Sequence, residues 1–201
     1  MSSNNKLKAI TDEIYIAPDA AYNILKDIRR LLRFNPYYEI KNFREIGTDT
    51  YELLLRNEAN KFEEKQVLRV TSYDADKKIS IEYDSNSGMR IMTTFDIQAA
   101  DKGIKIAAED NFDLSKISDK EKISEIIDRT IPYWLSQIRS YLKLLEKKTL
   151  LNKIKLFYKE KIWLEMSPFG RRVARLILIL TALETLLILG ILIGYKLLVK
   201  Y

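Results

Sequence analysis

The chain has 201 residues, a formal charge of +6, and neither cysteine nor histidine. Without cysteine there is no disulfide framework and no thiol nucleophile. Without histidine the usual general base near neutral pH and the commonest metal ligand are missing, which excludes Cys–His and Ser–His–Asp chemistry and most zinc sites. All the net charge lies in residues 149–201, which carry nine Lys or Arg against three Glu, whereas residues 1–148 carry 25 charges of each sign. A basic stretch so confined suits anionic lipid headgroups rather than nucleic acid, and no nucleic-acid partner is expected.

From the N-terminus, residues 6–16 alternate as a strand, with Ile10, Ile14 and Ile16 assigned to one face. Pro18 then signals a helix carrying Ala21, Ile24, Leu25 and Ile28, and a second short helix over 29–34 is stopped by Asn35-Pro36. Six period-two segments follow, at 38–46, 51–56, 62–73, 79–83, 89–98 and 104–112. The breaks between them hold turn residues such as Gly47-Thr48-Asp49, Glu58-Ala59-Asn60, Asn86-Ser87-Gly88 and Asp101-Lys102-Gly103, so the strands form hairpins and the sheet is antiparallel. A helical stretch over 118–148 repeats apolar residues every three or four positions, through Ile123, Ile126, Ile127, Ile131, Trp134, Ile138, Tyr141, Leu142 and Leu145. Pro132 either kinks this helix or starts it afresh.

The segments Tyr15-Ile16-Ala17-Pro18-Asp19, Leu25-Lys26-Asp27 and Phe34-Asn35-Pro36, with the final helix around Trp134 and Leu142, resemble the START-like superfamily of polyketide cyclases/dehydrases and lipid-transport proteins. The resemblance covers residues 6–148. It implies an α+β helix-grip fold: a curved antiparallel sheet around a long C-terminal helix, with an apolar cavity between them. On that reading Leu53, Leu55, Leu68, Val70, Ile79, Ile81, Tyr83, Ile91, Phe95 and Ile106 face the helix, Trp134 and Ile138 face back, and Phe34 and Tyr37 stand at the entrance. The alternative is that these side chains simply fill a core at ordinary density.

No catalytic residue can be carried over from the resemblance, and no cofactor or metal site is expected. Glu64, Asp96, Glu109 and Asp110 lie in strands, where a carboxylate in an apolar pocket could do acid chemistry. Glu63-Glu64-Lys65 and Glu109-Asp110 fit solvent-facing strand charges better.

Residues 149–170 form a connector. Leu151, Ile154, Tyr158 and Ile162 make a stripe flanked by Leu150 and Phe157, while Lys153, Lys155 and Lys159 point away. This suits a helix lying in a membrane interface with Trp163 at headgroup depth, or equally a continuation of the preceding helix packed on the domain. Residues 171–201 read as an anchor: LILILTALETLLILGILIGY, from Leu176 to Tyr195, is twenty residues with one charge, the thickness of a bilayer core at ~1.5 Å per residue. The N-terminus MSSNNKLK offers no apolar signal, so the chain is expected to insert by its tail. Arg171, Arg172 and Arg175 precede the span and outnumber Lys196 and Lys200 after it, which puts residues 1–170 in the cytoplasm by the positive-inside rule. Within the span Thr181, Glu184 and Thr185 share one face and Gly190 and Gly194 nearly the opposite one, surfaces suited to another transmembrane helix or a second copy.

The expected partners are therefore a hydrophobic ligand or lipid, an anionic membrane surface and a helix within the bilayer. The expected function is membrane-anchored binding or transfer of a hydrophobic small molecule or lipid. Two rivals stand beside it: a cyclase/aromatase-type enzyme, which needs polar side chains converging inside the grip, and a non-catalytic accessory subunit of a membrane complex, which needs a filled interior.

Overall fold

A computed structural model describes residues 4–58, 61–85, 90–113, 120–147 and 149–198; the side chains of 4, 5, 62, 85, 120–129, 197 and 198 are not among those described. Expectations for Ser118, for the turns at Ala59-Asn60 and 86–88, and for the side chains of Ile123, Ile126 and Ile127 fall outside this set. Two units form, Met1–Glu165 and Met166–Tyr201.

In the first unit, strand β1 (Asn4–Ile10) leads to helices α1 (Pro18–Leu25) and α2 (Ile28–Arg33). Ala17 enters α1 in an extended conformation with Pro18 preset in the first turn, and the helix buries Ala21, Tyr22 and Leu25. Asp27 caps α2 by accepting from the Arg30 amide at 3.0 Å, and Ile28, Leu31 and Leu32 face inward. Asn35 ends the helical path with a local turn, its Oδ1 accepting from the Tyr37 amide at 3.0 Å. Strands β2 (Tyr38–Gly47), β3 (Thr50–Asn57), β4 (Phe62–Tyr73), β5 (Lys78–Ser85), β6 (Arg90–Ala99) and β7 (Ile104–Asp113) then run as a meander. With β1 returning beside β7, they make one seven-stranded antiparallel sheet of order β1-β7-β6-β5-β4-β3-β2.

Two features depart from the sequence pattern. The opening strand stops at Ile10, which is exposed on the outer face, and the chain turns before Ile14 goes into the core. That turn is fixed by Gly103: a Cβ there would lie 2.1 Å from the Ile14 carbonyl oxygen, so only glycine lets Ile14 and Ile104 exchange their two backbone hydrogen bonds, each 2.9 Å. Helix α3 (Lys120–Glu146) also continues through Pro132, which is exposed, instead of restarting there.

The core lies between the concave sheet face and the C-terminal half of α3. Trp134 is fully buried at its centre, edge-on to Phe95 at 5.0 Å, and its indole N–H donates to the Leu31 carbonyl at 2.8 Å. The unit does not end with α3. Helix α4 (Leu150–Tyr158) and a π-helical turn (Lys159–Trp163) fold back so that Leu156 and Leu164 cover the core, and Tyr141 Oη donates to Glu160.

In the second unit, α5 (Pro168–Leu198) contains one stretch, Pro168–Lys196, long and apolar enough to cross a membrane by length and composition, with mean hydropathy 2.7. From Leu176 to Ile193 its apolar side chains are exposed.

Candidate ligand-binding interior

The concave face has an apolar middle and a polar end. In the middle Leu53, Leu68, Ile81, Phe95, Trp134 and Ile138 come together as the sequence pattern requires. Leu68, Ile81, Phe95, Trp134 and Ile138 have no accessible surface, so no void large enough for a water molecule borders them.

The polar end brings Asp110, expected to face solvent, together with Arg90 and Thr93, which the sequence pattern does not single out. Asp110 and Thr93 are fully buried on β7 and β6, and Arg90, on the same face, is nearly so. Arg90 Nη2 lies 2.8 Å from Asp110 Oδ2, and Thr93 Oγ1 donates to Asp110 Oδ1. Tyr83 Oη sits 3.0 Å from Thr93 Oγ1. Thr93 has a single proton, which the acceptor-only carboxylate takes, so Tyr83 donates to Thr93 and a relay runs from Tyr83 through Thr93 to Asp110. The guanidinium is also surrounded by rings, 5.6 Å from Tyr38, 5.5 Å from Tyr83 and 5.2 Å from Phe112, and its buried Nε has no hydrogen-bond partner among the described residues. Glu64 and Gln66 extend the polar end along β4, with Gln66 Nε2 donating to Glu64 Oε2 at 3.0 Å. Burial pushes the Asp110 carboxyl up from its ordinary value and the Arg90 guanidinium down, while the charge of each works to restore the other. Burial, with Asp110 nearby, also raises the Tyr83 phenol.

Several expected positions change. Ile91, assigned to the interior, is 39% exposed on the outer face. A β-bulge is the cause: Arg90 pairs with Phe112 and Met92 with Asn111, leaving Ile91 as the extra residue, so the alternation slips by one and Arg90 turns inward in its place. Phe34 is not an entrance residue; it caps α2, fully buried, 5.0 Å from the Tyr141 ring. Tyr37 is half-buried and meets the exposed Tyr133 edge-on at 6.1 Å. Directly behind them Tyr38 meets Trp134 at 5.7 Å, so a short aromatic series leads from the surface at Tyr37 and Tyr133 to Arg90. Of the four strand carboxylates, Glu64 and Asp110 are buried on the inner face, whereas Asp96 and Glu109 lie on the outer one, Glu109 paired with Lys6 at 3.0 Å. Strand phase alone puts Asp110 inside, since it shares parity with Ile106, Ala108 and Phe112; its charge argued against that phase and was misleading.

Along the connector Lys153 and Lys155 are exposed, but Lys159 turns back to donate to Ser140 Oγ at 3.0 Å, and Trp163 is half-buried, 6.5 Å from Tyr158. In the second unit Arg171 is buried, and Arg172, Arg175, Thr181 and Glu184 are exposed. Thr185 Oγ1 donates to the Thr181 carbonyl of its own helix at 2.8 Å, and beyond the adjoining residues and backbone of that helix no described atom lies within 4 Å of the positions a Cβ would take at Gly190 or Gly194.

No family model matches the chain, and no curated protein matches it in sequence. Solved structures match its fold. The Zhui aromatase/cyclase from Streptomyces sp. R1128 is similar with a TM-score of 0.59 at 10% identity, over 72% of this chain and 97% of that one. A protein of Thermus thermophilus gives 0.57 at 10% identity, over 71% and 100%. A START superfamily protein from Mycobacterium smegmatis gives 0.55 at 12% identity, over 70% and 98%. The chain therefore has the START-like helix-grip fold, and at these identities the likeness concerns fold alone.

Proposed function

We propose that this protein binds a hydrophobic small molecule or lipid at a membrane, held there by α5 as a transmembrane helix, with residues 1–170 in the cytoplasm. The observation that carries the reading is the ion pair of Arg90 and Asp110 inside an otherwise apolar grip. Desolvating both charges makes such a pair no better for stability than apolar residues of the same size, so stability does not account for it. A buried polar group at the end of an aromatic passage is what a binding site needs to orient an amphipathic ligand. The Tyr37 and Tyr133 pair is the proposed opening; since Trp134 borders no void, the side chains along Tyr38 and Trp134 would have to part for a ligand to reach Arg90. Cyclase-type chemistry also calls for polar groups inside the grip. Here, however, Asp110 Oδ1 accepts from Thr93 and Oδ2 is held by the charge of Arg90 at 2.8 Å, without a hydrogen bond among the described residues, and a carboxylate tied into an ion pair suits orientation better than proton transfer.

The accessory-subunit reading is favoured by a different observation, the closed packing around Ile81, Phe95 and Ile138. Purifying the full chain in mild detergent, extracting it with organic solvent and identifying co-purified lipids by mass spectrometry separates the two. A stoichiometric apolar compound that disappears in an Arg90→Met/Asp110→Leu variant supports binding. A folded protein that carries no compound and takes up no fluorescent lipid probe supports the accessory role. Orientation is tested separately: protease added to intact cells or spheroplasts should leave residues 1–170 uncut.

A further inference from the structure

Helix α4 presents a second surface, distinct from the interior. Asn152, Leu156 and Lys159 face the domain, where Asn152 Nδ2 donates to the Lys147 carbonyl at 2.9 Å and Lys159 reaches Ser140. The opposite face is apolar and open: Leu150 is 74% exposed, Leu151 69%, Ile154 57% and Phe157 62%. Side chains three and four apart make this one continuous stripe on the helix, of a kind a water-facing helix rarely keeps. Lys153 and Lys155 flank it.

Past the end of α4 a groove of about 300 Å³ opens between α2 and the connector, lined by Arg29, Arg30, Arg33 and Lys161 together with Asp27, Glu160 and Glu165. Arg33 pairs with Glu165, and Arg30 lies 3.8 Å from Glu160 and 3.5 Å from Asp27. Arg29 and Lys161 make no ion pair among the described residues, so the groove keeps two cations for an outside anion.

We infer that the exposed face of α4 and the groove beyond it form a docking surface for a bilayer of anionic phospholipids, with Leu150, Ile154 and Phe157 inserting among the lipid chains and Arg29 and Lys161 receiving headgroup phosphates. This rests on α5 being a membrane anchor, as proposed above. Twelve residues, 164–175, lie between the π-helical turn and the apolar span; four at up to ~3.6 Å and eight in helix at ~1.5 Å each tether the end of that turn within about 26 Å of the bilayer core. Charge complementarity selects lipid over a second copy: two such faces packed together would bring like-charged Lys153 and Lys155 side by side, whereas an anionic headgroup layer neutralises them.

The cysteine-free chain allows a direct test. Single cysteines at Ile154, at Phe157 and, as control, at Glu45 on the β2–β3 hairpin are labelled with an environment-sensitive dye. The full chain is then reconstituted in vesicles of phosphatidylcholine with or without phosphatidylserine, some carrying a nitroxide on the acyl chain. Labels at 154 and 157 should lose most of their emission to the nitroxide, the more so with phosphatidylserine, while the label at 45 keeps its emission. Arg29→Ala with Lys161→Ala should reduce the phosphatidylserine increment to what Lys153 and Lys155 supply, without unfolding the chain, since neither cation is paired among the described residues. Labels at 154 and 157 that stay in water, although the chain floats with the vesicles, overturn the proposal. So does energy transfer between copies without nitroxide quenching, which would assign the face to a second copy. A phosphatidylserine increment undiminished by loss of both cations overturns the role of the groove. Because flotation reports the anchor and the lipid extract reports the interior, failure here is distinguishable from failure of the proposed function.

Discussion

Removing one partner of the Arg90 and Asp110 pair should have opposite pH signatures depending on which partner is lost. Asp110→Ala leaves a guanidinium inside a shell of Tyr38, Tyr83 and Phe112, and stranding a buried charge costs ~3–5 kcal/mol. For a chain of this size that corresponds to roughly 6–20 °C in Tm. An arginine cannot shed its proton, so lowering the pH should not recover the loss. Arg90→Met strands the carboxylate instead, with burial, the largest influence on Asp110, now acting without its cationic counterweight. A carboxyl whose folded pKa is raised above the unfolded value favours the folded state when protonated. That contribution is complete below the unfolded value of 3.8 and fades as pH rises through the raised folded value. Against Asp110→Ala as reference, Arg90→Met should therefore recover stability as the solution is acidified. The double variant Arg90→Met/Asp110→Leu, with no charge left to bury, should regain most of the wild-type stability at neutral pH while losing ligand. Denaturant unfolding of the full chain in detergent, followed by near-ultraviolet circular dichroism of Trp134 and its aromatic neighbours at two or more pH values, measures all four proteins. A double variant as unstable as either single one, or an Arg90→Met curve parallel to that of Asp110→Ala at every pH, would refute the reasoning.

Truncation after Glu165 should leave a folded unit, whereas truncation after Lys148 removes Leu164, whose burial is worth ~1.5–3 kcal/mol, and lowers the unfolding midpoint; comparative denaturation reads the difference. Gly103→Ala should destabilise at or beyond the upper end of the usual ~0.5–3 kcal/mol for single substitutions, because backbone must move to clear a 2.1 Å approach, and hydrogen exchange should show the Ile14 and Ile104 amides opening first. In an ultraviolet titration Tyr22 should ionise late, at about 12, because burial and its hydrogen bond to Asp74 raise it; the stabilisation this represents is complete below the ordinary value of 10.0 and lost as pH rises through about 12, and in Tyr22→Phe that late component disappears. Glu184→Leu should insert into membranes at least as well as the parent, since a charge at mid-span costs roughly 2.5–3.5 kcal/mol. If Glu184 bonds a partner helix, the change should weaken crosslinking by no more than the ~1–2 kcal/mol of one interhelical hydrogen bond.

Much of the fold was legible from local chemistry. Period-two alternation with turn residues between segments marked the strands of the meander, Pro18 and Asn35-Pro36 bounded the two short helices, and Trp134, Ile138 and Leu142 marked the buried stripe of α3. These signals survive in one dimension because each depends on residues a few positions apart. The bulge at Ile91 leaves no such trace: one extra residue reverses every side chain before it, and whether it is there depends on how β6 registers against β7. Asp110 shows the opposite failure, since its strand phase was right and its charge argued against it; only the arrival of Arg90 and Thr93 from β6 makes a buried carboxylate tenable. For the connector, the sequence by itself determined that α4 is amphipathic but not which side meets the domain. Tertiary structure decided that, by using Leu156 and Leu164 to close the core and leaving Leu150, Ile154 and Phe157 uncovered, because a stripe along a helix becomes an inside or an outside only once a neighbouring surface is in place.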